Sequence, residues 1–167
     1  LDRVRRHPQV PGLFARYFDL VFAINSNRFT EATVLVAELS SMAANSAGFA
    51  ILPFTLEILG NDYERFPRLL FAEDPSAGPI AAPSNAEFAT AKRNLEEAIA
   101  IIGEIDPSLD EDVANLFRHI YVCKDANAAA AASFGGVTSF MVWGASFVNI
   151  KSYQSTIDMV QFLVHEV

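Results

Sequence analysis

Cysteine is almost absent from the sequence, and this scarcity excludes two classes of small protein. With the single thiol of Cys123 the chain can form no internal disulfide, so it is not a disulfide-stabilised scaffold. One cysteine and three scattered histidines also cannot build a zinc finger. A chain without disulfides is consistent with a reducing compartment, and we expect a cytoplasmic location.

Basic residues are also scarce. Twelve Lys and Arg stand against 20 Asp and Glu, which gives a formal net charge of −8. A surface of that sign repels phosphate, and the one basic cluster, Arg3, Arg5 and Arg6, lies at the N-terminus, so we expect no nucleic-acid partner. The hydrophobic fraction of 51% can bury a core, and 167 residues is the length of one ordinary domain.

Charge is missing altogether from residues 126–150, a stretch long enough to span a bilayer as a helix. Six Asn, Ser and Thr residues and three glycines interrupt it, and its second half is aromatic and β-branched. This composition favours paired buried strands, so we expect no membrane partner. The sequence begins with Leu1 and shows no signal peptide, and we interpret both of its ends as cuts in a longer sequence.

Helices are predicted throughout the first half. Apolar residues at helical spacing mark "PGLFARYFDLVFAIN" and "TEATVLVAELSSMAA", the second beginning at Thr30, and shorter helices are predicted in "FTLEILG" and "YERFPRLLF", with a break near Pro67. Three prolines and a glycine in "EDPSAGPIAAPS" predict a loop. We therefore divide the chain into a helical region 1–72, a loop 73–84 and an α+β region 85–167, which together form one incomplete domain.

Two more helices are predicted after the loop. Ser84 and Glu87 have the spacing of a capping box, which predicts a helix that continues to about Ile102. Pro107 then suits the first position of a short acidic helix that reaches about Phe117.

The apolar pattern changes to an alternation in the last third of the chain. In "RHIYVCKD", Ile120 and Val122 would face one side of a strand, and Tyr121 and Cys123 the other. The segments "SFGGVTSFMVWG" and "ASFVNI" predict two further strands, hinged near Gly144. Helices, then strands, then a final helix predict an α+β fold, with a small sheet packed on a C-terminal helix.

The final helix is predicted to begin at a cap, Ser155 or Thr156, and to carry two stripes. The apolar stripe comprises Ile157, Val160, Val164 and Val167. The polar stripe comprises Asp158, Gln161 and His165. His165 and Glu166 form the first half of an H-E-x-x-H motif, whose second histidine would fall at position 169. In that motif two imidazoles share one divalent metal, and the glutamate reaches a metal-bound water.

The region from about Ser84 to Val167 resembles the HExxH-motif peptide-modifying enzymes known as 2-oxoglutarate-dependent, HExxH-type peptide β-hydroxylases. Three stretches carry the resemblance through their order and spacing: "NLEEAIAIIGEIDPSLDEDVANLFRHIYVC", "SFGGVTSFMVWGASFVNI" and "STIDMVQFLVHEV".

The resemblance implies a site that the given sequence holds only in part. His165 would be the first metal ligand and Glu166 the catalytic glutamate, while the second histidine and a further ligand would follow Val167. The metal would be Fe(II), with 2-oxoglutarate and dioxygen as cosubstrates, and the reaction would hydroxylate a β-carbon in a peptide substrate. The chain as given would be inactive, and its helical first half an accessory region.

Two other interpretations stay open at the level of sequence. Spacing does not select iron over zinc, and with zinc the same helix would belong to a zincin-type metallopeptidase, with Glu166 as general base. An interpretation of another class is a non-catalytic helical binding module. The remaining candidates, His7, His119 and Cys123, are predicted to be structural or incidental.

Overall fold

The structure, a computed structural model, describes residues 12–44, 49–71, 79–126 and 134–167. In these ranges the elements are, in chain order, α1 (Leu13–Asn25), α2 (Phe29–Ala44), β1 (Ala50–Pro53), α3 (Leu56–Leu59), α4 (Asp62–Leu70), β2 (Ile80–Ala81), α5 (Asn85–Ile105), α6 (Pro107–Leu116), β3 (His119–Asp125), β4 (Gly136–Thr138), a 3-10 turn (Phe140–Val142), β5 (Ala145–Asn149) and α7 (Thr156–Glu166). The fold is α+β, as the sequence predicted.

A small mixed sheet organises the fold, with the strand order β1-β3-β5-β4. Strands β1, β3 and β5 are parallel, and β4 runs antiparallel to β5 as the last strand of that order. The short β2 pairs antiparallel with the end of β3, where Ile80 lies opposite Asp125. Because β1 comes from the region before the predicted loop and β3 from the region after it, the two regions share one sheet.

Each face of the sheet is covered by its own apolar core, and β3 contributes to both. Ile120 and Val122 pack towards α5, α6 and α7, whereas Tyr121 and Cys123 pack towards α4 and the 3-10 turn. The predicted alternation of this strand is therefore confirmed. Among the described residues, no helix has the length and apolar character needed to cross a bilayer.

Several predicted boundaries are wrong, and each error has a local cause. Strand β1 was not predicted, and β2 lies inside the predicted loop 73–84, because these strands are short and are defined by pairing with β3. Pro67 lies inside α4, which continues past it to Leu70, so the predicted break is absent. In "SFGGVTSFMVWG" only Gly136–Thr138 is a strand, and the chain then turns into a 3-10 helix.

The predicted apolar stripe of α7 is not the most buried face of the helix, although its member Val160 packs against the core. The fully buried residues of this helix are Met159, Phe162 and Leu163, whereas Ile157 is 69% exposed and Val164 is 50% exposed. Met, Phe and Leu remove more apolar area from water than the β-branched residues of the predicted stripe, so the helix turns this side to the core. The change of face decides where the two candidate site residues lie.

An ion-pair network joins the α1–α2 hairpin to the rest of the chain. The Arg16 guanidinium lies 3.1 Å from an Asp62 carboxylate oxygen and 3.2 Å from one of Glu38, and Arg65 pairs with Asp19. Burial raises the pKa of the Asp62 carboxyl, and the charge of Arg16 opposes that rise. Arg16 therefore offsets the cost of placing Asp62 away from water.

Replacing Arg16 should weaken the fold, because Asp62 would keep its position and lose its partner. We expect Arg16→Met to lower the free energy of unfolding by about 1–3 kcal/mol, measured by urea denaturation. The matched control is Arg68→Met, since the pair of Arg68 with Glu64 is largely exposed. That variant should change the free energy by less than about 0.5 kcal/mol, and equal losses in the two variants would contradict the assignment.

Glu87, in the first turn of α5, should make the free energy of unfolding depend on pH in the acidic range. A hydrogen bond from Lys124, with further bonds from Ser84, lowers the pKa of Glu87 from its ordinary 4.5 to about 2. A carboxyl whose pKa is lower in the folded state stabilises the fold above its unfolded pKa, and this stabilisation is lost as pH falls from about 4.5 to about 2.

We therefore expect the free-energy difference between wild type and Glu87→Gln to shrink as pH falls through that interval, as measured by urea denaturation at several pH values. Glu104→Gln on the same helix is the control, and its free-energy difference from wild type should stay constant across these pH values. A constant difference for Glu87→Gln would show that the contact with Lys124 does not form in solution.

Candidate functional site

Local hydrogen bonds fix the start of α7. The Ser155 hydroxyl accepts from the backbone N–H of Asp158 at 3.2 Å, and the Asp158 carboxylate accepts from the Ser155 N–H at 2.9 Å. These bonds form a capping box, so Ser155 is the cap, and they lower the pKa of the Asp158 carboxyl. The adjacent Thr156 donates to Glu97 on α5 at 2.8 Å.

The structure separates the two residues of the H-E pair at the other end of the helix. Glu166 follows Met159, Phe162 and Leu163 at spacings of seven, four and three, which places it on the buried side of α7, where it is half-buried. His165 projects about 100° away and is exposed. Neither side chain has a hydrogen bond or an ion pair within the described part of the chain.

A cavity of about 270 Å³ lies beside Glu166, between β4, the start of β5 and the ends of α6 and α7. Its apolar wall is formed by Leu116, Phe117, Trp143, Gly144, Ala145 and Val167. Its polar wall is formed by Thr138, Ser139 and Glu166. The glutamate of the candidate motif therefore borders an open space, while the histidine beside it faces solvent.

Helix α7 packs directly on the backbone of β4 at Gly136. A Cβ atom at this position would lie 2.4 Å from two ring carbons of Phe162 and 3.1 Å from Oε1 of Glu166. Only glycine permits this approach, because the Phe162 ring is fully buried and has no room to withdraw. Gly136 therefore sets the distance between Glu166 and the antiparallel strand of the sheet.

A buried hydroxyl without a partner lies next to this contact. Ser146 on β5 is fully buried, and its Oγ has no hydrogen-bond partner within the described residues. It pairs across the strands with Thr138, so both hydroxyls project from the same face of the sheet. That face is covered by α7, because Gly136 on the same strand lies against Phe162. An unsatisfied buried hydroxyl of this kind is uncommon.

No protein-family model matches the chain. Neither the curated proteins nor the solved structures provide a match. The candidate site is therefore defined by its own residues and their geometry.

Two other predicted candidates, His119 and Cys123, do not line this cavity. His119 is on β3, where its Nδ1 lies 3.0 Å from the Tyr121 hydroxyl, and burial, with a smaller effect of Arg118, lowers its pKa. Cys123 is fully buried and donates to the Val148 carbonyl at 3.3 Å; burial raises its pKa. His7 lies outside the described residues. The described residues contain no group of three or more His, Cys, Asp and Glu side chains that could hold a metal ion.

Three features of the site were missed from the sequence. Gly136 was read as part of a strand, and neither Ser146 nor the cavity was singled out. The strand period could have placed Ser146 and Thr138 on one face, but the pairing register of β4 with β5 comes from the folded chain. The close approach of Phe162 to Gly136 likewise has no local signal in the sequence.

A side chain at position 136 should destabilise the fold and displace Glu166. We expect Gly136→Ala to lower the free energy of unfolding by about 1–3 kcal/mol, measured by urea denaturation, because Phe162 must move. The control is Gly103→Ala inside α5, where a Cβ would meet Asp110 at an ordinary 3.5 Å. That variant should be unchanged or stabilised by up to about 1 kcal/mol, since alanine favours a helix. Equal stability of Gly136→Ala and Gly103→Ala would contradict the close packing of α7 on β4 at Gly136.

Proposed function

We propose that the chain contributes the first part of the catalytic centre of an HExxH metalloenzyme, an Fe(II)- and 2-oxoglutarate-dependent β-hydroxylase that acts on a peptide. His165 is the first metal ligand in this proposal and Glu166 is the motif glutamate. The observation that carries the proposal is that His165 and Glu166, at the end of α7, face different surroundings. Glu166 borders a cavity beside β4, while His165 is exposed about 100° away with no competing partner in the described residues.

The donor set fits one part of such a centre. Imidazole is a ligand for both iron and zinc, and four residues along a helix bring a second side chain to the same face. A histidine at position 169 would therefore follow His165 on the polar side of α7. The described residues provide one imidazole and one carboxylate there, so the proposal requires the other ligands to come from the natural continuation of the chain.

The sheet next to α7 suits an extended peptide. Strand β4 lies at the end of the strand order and is antiparallel to β5, so its second edge can receive another strand through backbone hydrogen bonds. Peptide bound along this edge would run past Glu166, because Gly136 on β4 lies against that carboxylate. The arrangement supports a peptide as the substrate.

The residues of this chain would then have separate tasks. Iron, when bound with 2-oxoglutarate and dioxygen, supplies the oxidising chemistry. His165 would hold the metal at one imidazole nitrogen. The Glu166 carboxylate would accept or hold a proton beside it, and the apolar cavity wall, which includes Phe117 and Trp143, would keep water away from that carboxylate.

The proposal is tested in the protein that carries the natural continuation after Val167. We expect bound iron, and succinate formed in step with a hydroxylated peptide. His165→Ala should lose most of the metal and the turnover together. Glu166→Gln should keep the metal and lower turnover by about 100-fold or more, because a general acid–base group is removed. His7→Ala, the loss of an unrelated imidazole, should change neither property.

Three outcomes contradict the proposal. Bound zinc with peptide-bond cleavage would indicate the zincin-type metallopeptidase. A continuation without a histidine at position 169, together with no metal in elemental analysis, would indicate a non-catalytic binding module. Metal retained in full by His165→Ala would show that this imidazole is not a ligand.

A further inference from the structure

We propose that the cavity beside Glu166 binds the guanidinium group of an arginine side chain in a peptide partner. The inference rests on the proposed function in one respect, that the ligand belongs to a peptide. It requires no metal, because the groups that would bind the side chain all belong to the described chain.

The charge of the cavity selects a cationic ligand. Among the residues that the structure describes, Glu166 is the one ionisable side chain in the wall, and no Lys, Arg or His lines the cavity. Its carboxylate has no ion-pair partner among the residues that the structure describes. A negatively charged ligand would be repelled, whereas a cation would pair with an unneutralised carboxylate. The net charge of −8 also attracts basic peptides over a longer range.

The carboxylate of the cavity needs hydrogen-bond donors. An ionised carboxylate only accepts hydrogen bonds, and Glu166 has no donor within the described residues. The hydroxyls of Thr138 and Ser139 line the same wall and can accept further hydrogen bonds, with Ser139 Oγ already accepting one from the Met141 N–H at 3.3 Å. A guanidinium carries five N–H donors in one plane, two of which can bind a carboxylate side by side.

The apolar wall suits the rest of an arginine side chain. Its methylene groups can pack against Leu116 and Val167, while its planar head can stack on an aromatic ring such as Phe117 or Trp143. An ammonium group lacks the planar head, so arginine should bind more tightly than lysine.

Trp143 provides a direct measurement, since it is the single tryptophan of the chain and lies in the cavity wall. The metal-free chain is titrated with N-acetyl-arginine N-methylamide while the Trp143 fluorescence and the indole N–H resonance are followed. We expect a saturable change. The matching citrulline derivative, which is uncharged and similar in shape, should bind at least about tenfold more weakly than the arginine derivative. The matching glutamate derivative should produce no saturable change.

Two variants test the residues. Glu166→Gln should weaken arginine binding by about tenfold or more, because the charge-assisted bonds are lost. The control Glu104→Gln removes an exposed carboxylate of α5 that does not line the cavity, and it should bind as wild type. If Glu166→Gln fails to fold by circular dichroism, Thr138→Arg replaces it as the test. The guanidinium of the introduced arginine should occupy the cavity and abolish the change in the Trp143 signals on titration with the arginine derivative.

The proposal is overturned if arginine gives no saturable change, if citrulline binds as tightly, or if the variant under test binds as wild type. These results are independent of the metal experiment. Arginine binding in a protein without metal or turnover would support the cavity and reject the enzyme. Iron and succinate formation without arginine binding would support the enzyme and reject the cavity.

Discussion

The contact between the Phe162 ring and the bare backbone of Gly136 is the constraint on which the candidate site depends. It brings α7 directly onto the antiparallel strand β4, with no side chain between them. Glu166 lies one helical turn beyond Phe162 on the same side of the helix, so the contact also fixes the position of the carboxylate. The cavity is the space left where the end of α7 passes the start of β5 and the end of α6. The contact therefore determines the positions of the end of α7, of the Glu166 carboxylate and of the cavity wall together.

The orientation of α7 follows from a competition between two apolar faces. One face carries Met159, Phe162 and Leu163, and the other carries Ile157 and Val164. Burial stabilises by about 25 cal/mol per Å² of apolar surface, so the face with longer and wider side chains is buried at the expense of the other. As a consequence, Ile157 and Val164 are left largely in water, Glu166 is turned towards the sheet and His165 is turned away from it.

Local signals in the sequence predicted those features that depend on local interactions. The capping box at Ser84 was predicted because such a box is complete within four residues, and for α7 the same local signals limited the cap to Ser155 or Thr156, of which the structure shows Ser155. The alternation of β3 was predicted because both of its faces are buried by apolar residues. Strands β1 and β2 were missed because four and two residues are too few to show a period, and their pairing with β3 joins distant parts of the chain. For α7, both faces are apolar at helical spacing, and only the packing against β4 and α5 decides between them.

The sign of the charge in the cavity limits where the ligands of the proposed enzyme could lie. 2-Oxoglutarate carries two carboxylates, and a wall in which Glu166 is the one ionisable side chain among the described residues would repel it. The cosubstrate would therefore have to approach from the side of His165, where the metal would be. A basic peptide side chain would be attracted to the opposite side, beside Phe117 and Trp143. The last turn of α7 would then separate an anionic cosubstrate from a cationic substrate group, because consecutive residues of a helix face different directions.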